Sequence, residues 1–141
     1  MRFLGLDYGR KRIGLAVSDP LGITAQPIGY IERNAKTFSS LRALISEKEV
    51  GDIVLGLPLS LKGAETEMTR EVQAFGRELE RELALPIHFF SERLTTTESE
   101  KLLIQANVRR EKRKELRDSM AASLLLQGFL QTRKSSWTEE E

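Results

Sequence analysis

The run Phe3-Leu4-Gly5-Leu6 closes on Asp7-Tyr8-Gly9, and Arg10-Lys11-Arg12 leads at once into the alternating stretch Ile13-Gly14-Leu15-Ala16-Val17-Ser18. The continuous apolar run reads as a strand buried on both faces, over residues 2–8. The alternating stretch, residues 12–18, reads as a second strand with Ile13, Leu15 and Val17 facing one way. The turn between them is short, so the two strands form an antiparallel hairpin. A carboxylate at the end of a buried strand is costly unless it is paired, hydrated or bound to a metal. Asp7 is therefore either a turn device or the first ligand of a site.

The rest of the chain alternates strands and helices. A third strand is expected from Pro27 to Glu32, after the turn Asp19-Pro20-Leu21-Gly22. Asn34 is the expected N-cap of a helix whose apolar face is Phe38, Leu41, Leu44 and Ile45. Gly51 and Asp52 break that pattern, and Ile53-Val54-Leu55-Gly56-Leu57 reads as a buried strand stopped by Pro58. Met68, Val72, Phe75, Leu79 and Leu83 recur at helical spacing up to Pro86. Ile87 to Phe90 form a fifth strand, and Thr95-Thr96-Thr97-Glu98 fits a capping box for a helix reaching Ala106. A last helix starts near Lys114 to Asp118 and runs to Thr132, with Met120, Leu124, Leu125 and Phe129 as its core face; Trp137 falls in a frayed end. This order predicts an α/β fold, a mixed sheet with helices on its faces.

A chain of 141 residues suits one domain with a real core. It contains no cysteine, which excludes disulfides and thiolate metal sites and is compatible with a reducing cytoplasm. No apolar run approaches bilayer length, and Asp7 with Arg10–Arg12 is foreign to a signal peptide. A cytoplasmic protein without membrane contact is expected. The net charge of +1 hides two local basic patches. Residues 109–117 hold six cations against two anions, and Arg10, Lys11 and Arg12 add three more. Arg10, Lys11, Arg12, Arg109, Arg110, Lys112 and Arg113 are thus candidates to meet a polyanion, or a merely solvated face.

Right-handed crossovers bring the ends of strands 1, 4 and 5 to one sheet edge, where α/β proteins bind ligands. Asp7 ends strand 1, Glu92 lies just past strand 5, and Asp118 lies at the start of the last helix. Three carboxylates converging there would hold one or two hard divalent cations such as Mg²⁺ and support phosphodiester hydrolysis. Taken singly, Asp7 also fits turn chemistry, Glu92 an ion pair with Arg93, and Asp118 a helix cap. His88 lies within a strand and reads as structural, and Ser119 as a helix-packing residue. Tyr8 fits either a stacked base or a pocket beside the turn.

Five motifs in order resemble the YqgF, or RuvX, family of Holliday junction resolvases and pre-16S rRNA nucleases. They are Asp7-Tyr8-Gly9 with Arg12-Ile13-Gly14, Ser18-Asp19-Pro20, Gly56-Leu57-Pro58 with Gly63, Ser91-Glu92-Arg93-Leu94-Thr95-Thr96, and Asp118-Ser119-Met120-Ala121-Ala122. The resemblance spans Arg2 to Leu130, and Ser91 stands where the family has Asp. It implies a ribonuclease H-like, five-stranded mixed sheet of order 3-2-1-4-5, with strand 2 antiparallel. Residues 1–134 would form the nuclease domain and 135–141 a flexible acidic tail. It implies a metal-dependent nuclease, using Mg²⁺ or Mn²⁺ at Asp7, Glu92 and Asp118, that processes the 5′ end of pre-16S rRNA. Holliday junction resolution, or a non-catalytic nucleic-acid-binding module of the same fold, are the alternatives. The partner is nucleic acid in each case, with the protein a monomer or a homodimer. A nucleotide-binding kinase-like reading would need a second lobe, and no P-loop sequence is present.

Overall fold

The computed structural model describes residues 1–59, 63–91 and 119–133. The elements run β1 (Arg2–Asp7), β2 (Arg12–Ser18), β3 (Ala25–Glu32), α1 (Thr37–Lys48), β4 (Val50–Gly56), α2 (Glu67–Leu83) and β5 (Ile87–Phe90). Residues 119–133 are helical and are called α3. One five-stranded sheet has the order β3-β2-β1-β4-β5. β2 is antiparallel to both β1 and β3, whereas β4 is parallel to β1 and to β5. This is the mixed sheet that the sequence implies.

Strand alternation divides the core into two layers. Leu4, Leu6, Ile13, Leu15, Val17, Ile53 and Leu55 face α1 and α2, where Leu41, Val72, Phe75 and Leu79 complete one cluster. Phe3, Ala16 and Val54 face α3, where Ala122, Leu126 and Leu130 complete the other. β1 is buried on both faces because it is the central strand, with α1 and α2 over one face and α3 over the other, which explains its unbroken apolar run.

Gly5 sets how closely α3 can approach. A β-carbon there would lie 2.9 Å from the Leu126 Cβ and 3.2 Å from the Ala122 carbonyl oxygen. The buried face of α3 is Ser119, Ala122, Ser123, Leu126 and Leu130, with Leu125 beside it. Of the apolar residues expected there, only Leu125 is fully buried, while Met120, Leu124 and Phe129 are half-exposed. The tight seat over Gly5 selects small residues for the contact line and turns larger ones to its flanks.

Several boundaries differ from the sequence reading. β3 begins at Ala25, two residues before Pro27, because Ser18 already pairs with Ala25. Gly51 and Asp52 lie inside β4; the break falls at Glu49, which ends α1 in the left-handed region at φ 54°. Asn34 is not the N-cap of α1. Lys36 holds that position, while the Asn34 side-chain oxygen accepts from the Lys36 N–H at 2.8 Å and so shapes the turn before the helix. α2 has a cap that the apolar spacing did not mark: Thr66 and Thr69 form a reciprocal capping box. The expected capping box at Thr95–Glu98, its helix to Ala106, and Trp137 lie outside the described residues.

Candidate active site

Asp7 is the last residue of β1, half-buried, and pairs across the sheet with Gly14. Alternation places it on the face of Phe3 and Gly5, the α3 side. α3 runs antiparallel to β1. Its first described residue, Ser119, accepts from the Gly29 N–H at 3.0 Å and its hydroxyl donates to the Leu15 carbonyl at 3.4 Å. Leu15 pairs with Leu6, next to Asp7. Leu130, near the other end of the helix, packs with Phe3. The first described turn of the helix therefore lies at the edge of the sheet where β1 ends. β5 reaches the same edge, since Phe90 pairs with Gly56, one residue past the Leu55 that pairs with Leu6. Glu92 and Asp118, the other two members of the acidic set, lie outside the described residues, as do Arg109, Arg110, Lys112 and Arg113. Among the described residues no three His, Cys, Asp or Glu side chains gather as a metal site.

Asp19 shows what a carboxylate spent on a turn looks like. Its Oδ1 accepts from the N–H groups of Ile23 at 2.6 Å and Thr24 at 2.9 Å, at the opposite edge of the sheet. The Thr24 N–H above all, aided by Ile23, holds this carboxyl below the usual carboxylate range.

The structure separates the three hairpin cations by face. Arg10 turns to the α2 side, where its Nε and Nη2 donate to Glu71 Oε2 at 3.0 and 2.6 Å. The Glu71 carboxyl is held below its ordinary range, chiefly by that hydrogen bond. Its contribution to stability is present above the ordinary carboxylate pKa and fades as the pH falls through the lowered one. Lys11 is exposed at the tip. Arg12 turns to the Asp7 side, with its guanidinium 4.7 Å from the centre of the Tyr30 ring.

One cation escaped the sequence reading. Arg33, just past β3, lies over the rings of Tyr8 and Phe75 at 5.1 and 4.8 Å, and its buried Nε has no hydrogen-bond partner among the described residues. Tyr8 accordingly fills the pocket beside the turn, with its ring centre 5.0 Å from that of Phe75, which decides between its two expected roles. The only signal for Arg33 in the sequence was a charge directly after a strand. Arg10, Lys11, Arg12 and Arg33 share an open cleft of about 680 Å³ with Gly9, Glu32 and Asn34. Such a cleft concentrates positive potential where a phosphate backbone can enter.

His88 keeps the structural role expected of it. Its Nε2 lies 3.0 Å from Asp52 Oδ1, and its ring packs against Phe129.

Glu71 offers a direct test of the cleft. Glu71→Gln releases Arg10 to phosphate, so nucleic-acid affinity should rise at low salt. The slope of log affinity against log salt should steepen by about 0.7 for a single strand. Titrating a labelled oligonucleotide at several salt concentrations measures this, and an unchanged slope would show that Arg10 stays outside the interface.

Over residues 1–132 the chain matches the family described as RuvX: Holliday junction resolvase. It is 45% identical over 134 residues to a protein of Koribacter versatilis (strain Ellin345) that carries the provisional name pre-16S rRNA nuclease, covering 94% of this chain and 88% of the relative. A Maridesulfovibrio salexigens protein with the same provisional name is 46% identical over 132 residues, covering 92% and 98%. Among solved structures, the fowlpox virus resolvase in complex with Holliday junction DNA aligns with a TM-score of 0.59 at 13% identity, covering 94% of this chain and 98% of that one. RuvC of T. thermophilus in complex with a Holliday junction aligns at 0.55 and 14% identity, covering 95% and 96%. At these identities the two structures establish a shared ribonuclease H-like resolvase fold.

Proposed function

Because this chain belongs to the RuvX family and is a nuclease that hydrolyses phosphodiester bonds, we propose that it cuts structured RNA with the help of divalent metal ions. The substrate we favour is the 5′ end of pre-16S rRNA, the reaction in the provisional names of its relatives. One observation carries the reading: Asp7 ends β1 at the sheet edge where β5 ends and α3 begins, beside a cleft lined by Arg10, Lys11, Arg12 and Arg33. Glu92 follows the end of β5 by two residues, and Asp118 immediately precedes α3 in the chain.

All three side chains are hard oxygen donors, the chemistry that Mg²⁺ or Mn²⁺ requires. Asp7, Glu92 and Asp118 would hold the ions, which would neutralise the scissile phosphate and supply an activated water. The remaining work falls to the chain itself. The paired strand end fixes the Asp7 backbone, so its carboxylate meets the phosphate without reorganising. Lys11, Arg12 and the cations Arg109, Arg110, Lys112 and Arg113 grip flanking phosphates without reading sequence. In this reading residues 1–134 are the nuclease domain, 135–141 an acidic tail, and the protein works in the cytoplasm. Among the described residues no helix is long and apolar enough to cross a membrane.

The deciding experiment offers the protein a pre-rRNA 5′ leader and a four-way DNA junction in Mn²⁺, with and without a chelator. The leader should be cut, the chelator should stop the reaction, and restored metal should recover it. Cleavage of the junction alone would assign the protein to recombination, where symmetric cutting calls for a two-fold dimer. Cleavage of neither would favour a binding module.

A further inference from the structure

Tyr30 lies in β3, the edge strand, and is 40% exposed. An exposed aromatic residue alone needs no explanation. Its position does. Asp7 pairs with Gly14, and Gly14 pairs with Tyr30, so the three form one rung across the sheet. Tyr30 also shares the α3-side face with Asp7. Arg12, two residues before Gly14 and therefore on the same face, lies over its ring. Two strand spacings separate the Asp7 and Tyr30 backbones, about 10 Å. Between them stands Gly14, buried and without a side chain, so no side chain of β2 comes between the carboxylate and the ring.

The local backbone holds this arrangement. The β2–β3 register shifts between Leu15 and Ala16, and Gly29 takes φ +109°, a conformation that L side chains rarely adopt. The Gly29 N–H donates to Ser119, which ties the backbone next to Tyr30 to the start of α3. Arg12 also lines the basic cleft with Lys11 and Arg33. Aromatic ring, stacked guanidinium and basic cleft are the components that bind single-stranded nucleic acid, where cations track the backbone and flat groups stack on bases.

We propose that Tyr30 and Arg12 form a stacking platform for an unpaired nucleotide of the RNA, next to the phosphate positioned at Asp7. The proposal rests on the reading of this edge as a nuclease centre and narrows its substrate. A base inside a duplex is stacked on its neighbours and offers no face to Tyr30, so the platform selects a single-stranded end or loop. Tyr30 is a positioning residue here, since it holds the strand and leaves the chemistry to the carboxylates.

The test measures binding in the Asp7→Asn background, so that the RNA stays intact. The probes are a labelled single-stranded RNA of mixed sequence and the same sequence as a blunt duplex. Tyr30→Ala should weaken single-strand binding about tenfold or more. It should leave the duplex affinity and the salt slope unchanged, because no phosphate contact is lost. Tyr30→Phe should retain the parent affinity. A 2-aminopurine in the single strand should be quenched on binding, less so with Tyr30→Ala. Unchanged single-strand affinity for Tyr30→Ala, or an equal loss on the duplex, would overturn the platform. Failure of the nuclease reading shows separately, as wild-type protein that leaves RNA uncut in Mn²⁺, while the binding comparison still decides the role of Tyr30.

Discussion

Asp7→Asn is expected to yield a folded protein whose metal-dependent cleavage is lowered at least about a hundredfold, the scale seen when one electrostatic contact to a transition state is removed. The change keeps the size and shape of the side chain and removes its charge. Asn remains compatible with the end of β1, where the backbone pairs with Gly14 and neighbouring Leu6 is fully buried. Thermal unfolding should therefore stay close to that of the parent. An amide oxygen is a weaker partner for a hard divalent ion than a carboxylate, so metal affinity and turnover fall together. Asp118→Asn should act in the same way. Cleavage at the parent rate by both variants, with folding intact, would remove these residues from the site.

Gly5→Val should give the largest loss of stability. Its β-carbon would fall 2.9 Å from the Leu126 Cβ and 3.2 Å from the Ala122 carbonyl, both close to the α3 backbone, so the helix itself must move. Overpacking of this kind costs about 1–3 kcal/mol. Urea unfolding should show a lower midpoint with an unchanged slope. Cleavage should fall as well, because the start of α3 belongs to the site edge. Gly56→Ala is the informative companion. Its β-carbon would meet Leu125 Cδ2 at 2.9 Å, the end of a flexible side chain that can rotate away. Its effect should be clearly smaller. Equal midpoints for Gly5→Val and the parent would show that α3 adjusts freely and that the Gly5 contact does not set its position.

Legibility in the sequence followed the range of the interaction. α2 was readable because Met68, Val72, Phe75 and Leu79 repeat within one helix, and the β1–β2 hairpin because its period and turn are local. The face of α3 was not, since Gly5, distant in sequence, decides that Ala122 and Leu126 take the contact line over β1, while Phe129 packs to its side against His88 and Phe90. The end of α1 shows the same limit: Gly51 and Asp52 looked like a break, yet pairing with β1 draws Asp52 into β4 opposite Phe3.

The candidate site divides in the same way. By itself, the sequence determined that a carboxylate ends a buried strand, that basic residues follow it, and that five motifs stand in family order, because these are properties of chain order and local period. Only the tertiary structure decided how the cations are used. Packing against α2 commits Arg10 to Glu71, stacking places Arg33 on Tyr8 and Phe75, and strand pairing sets Asp7, Gly14 and Tyr30 on one rung. Residues 7 and 30 become neighbours through register, and register is a long-range outcome of burying one face of each strand.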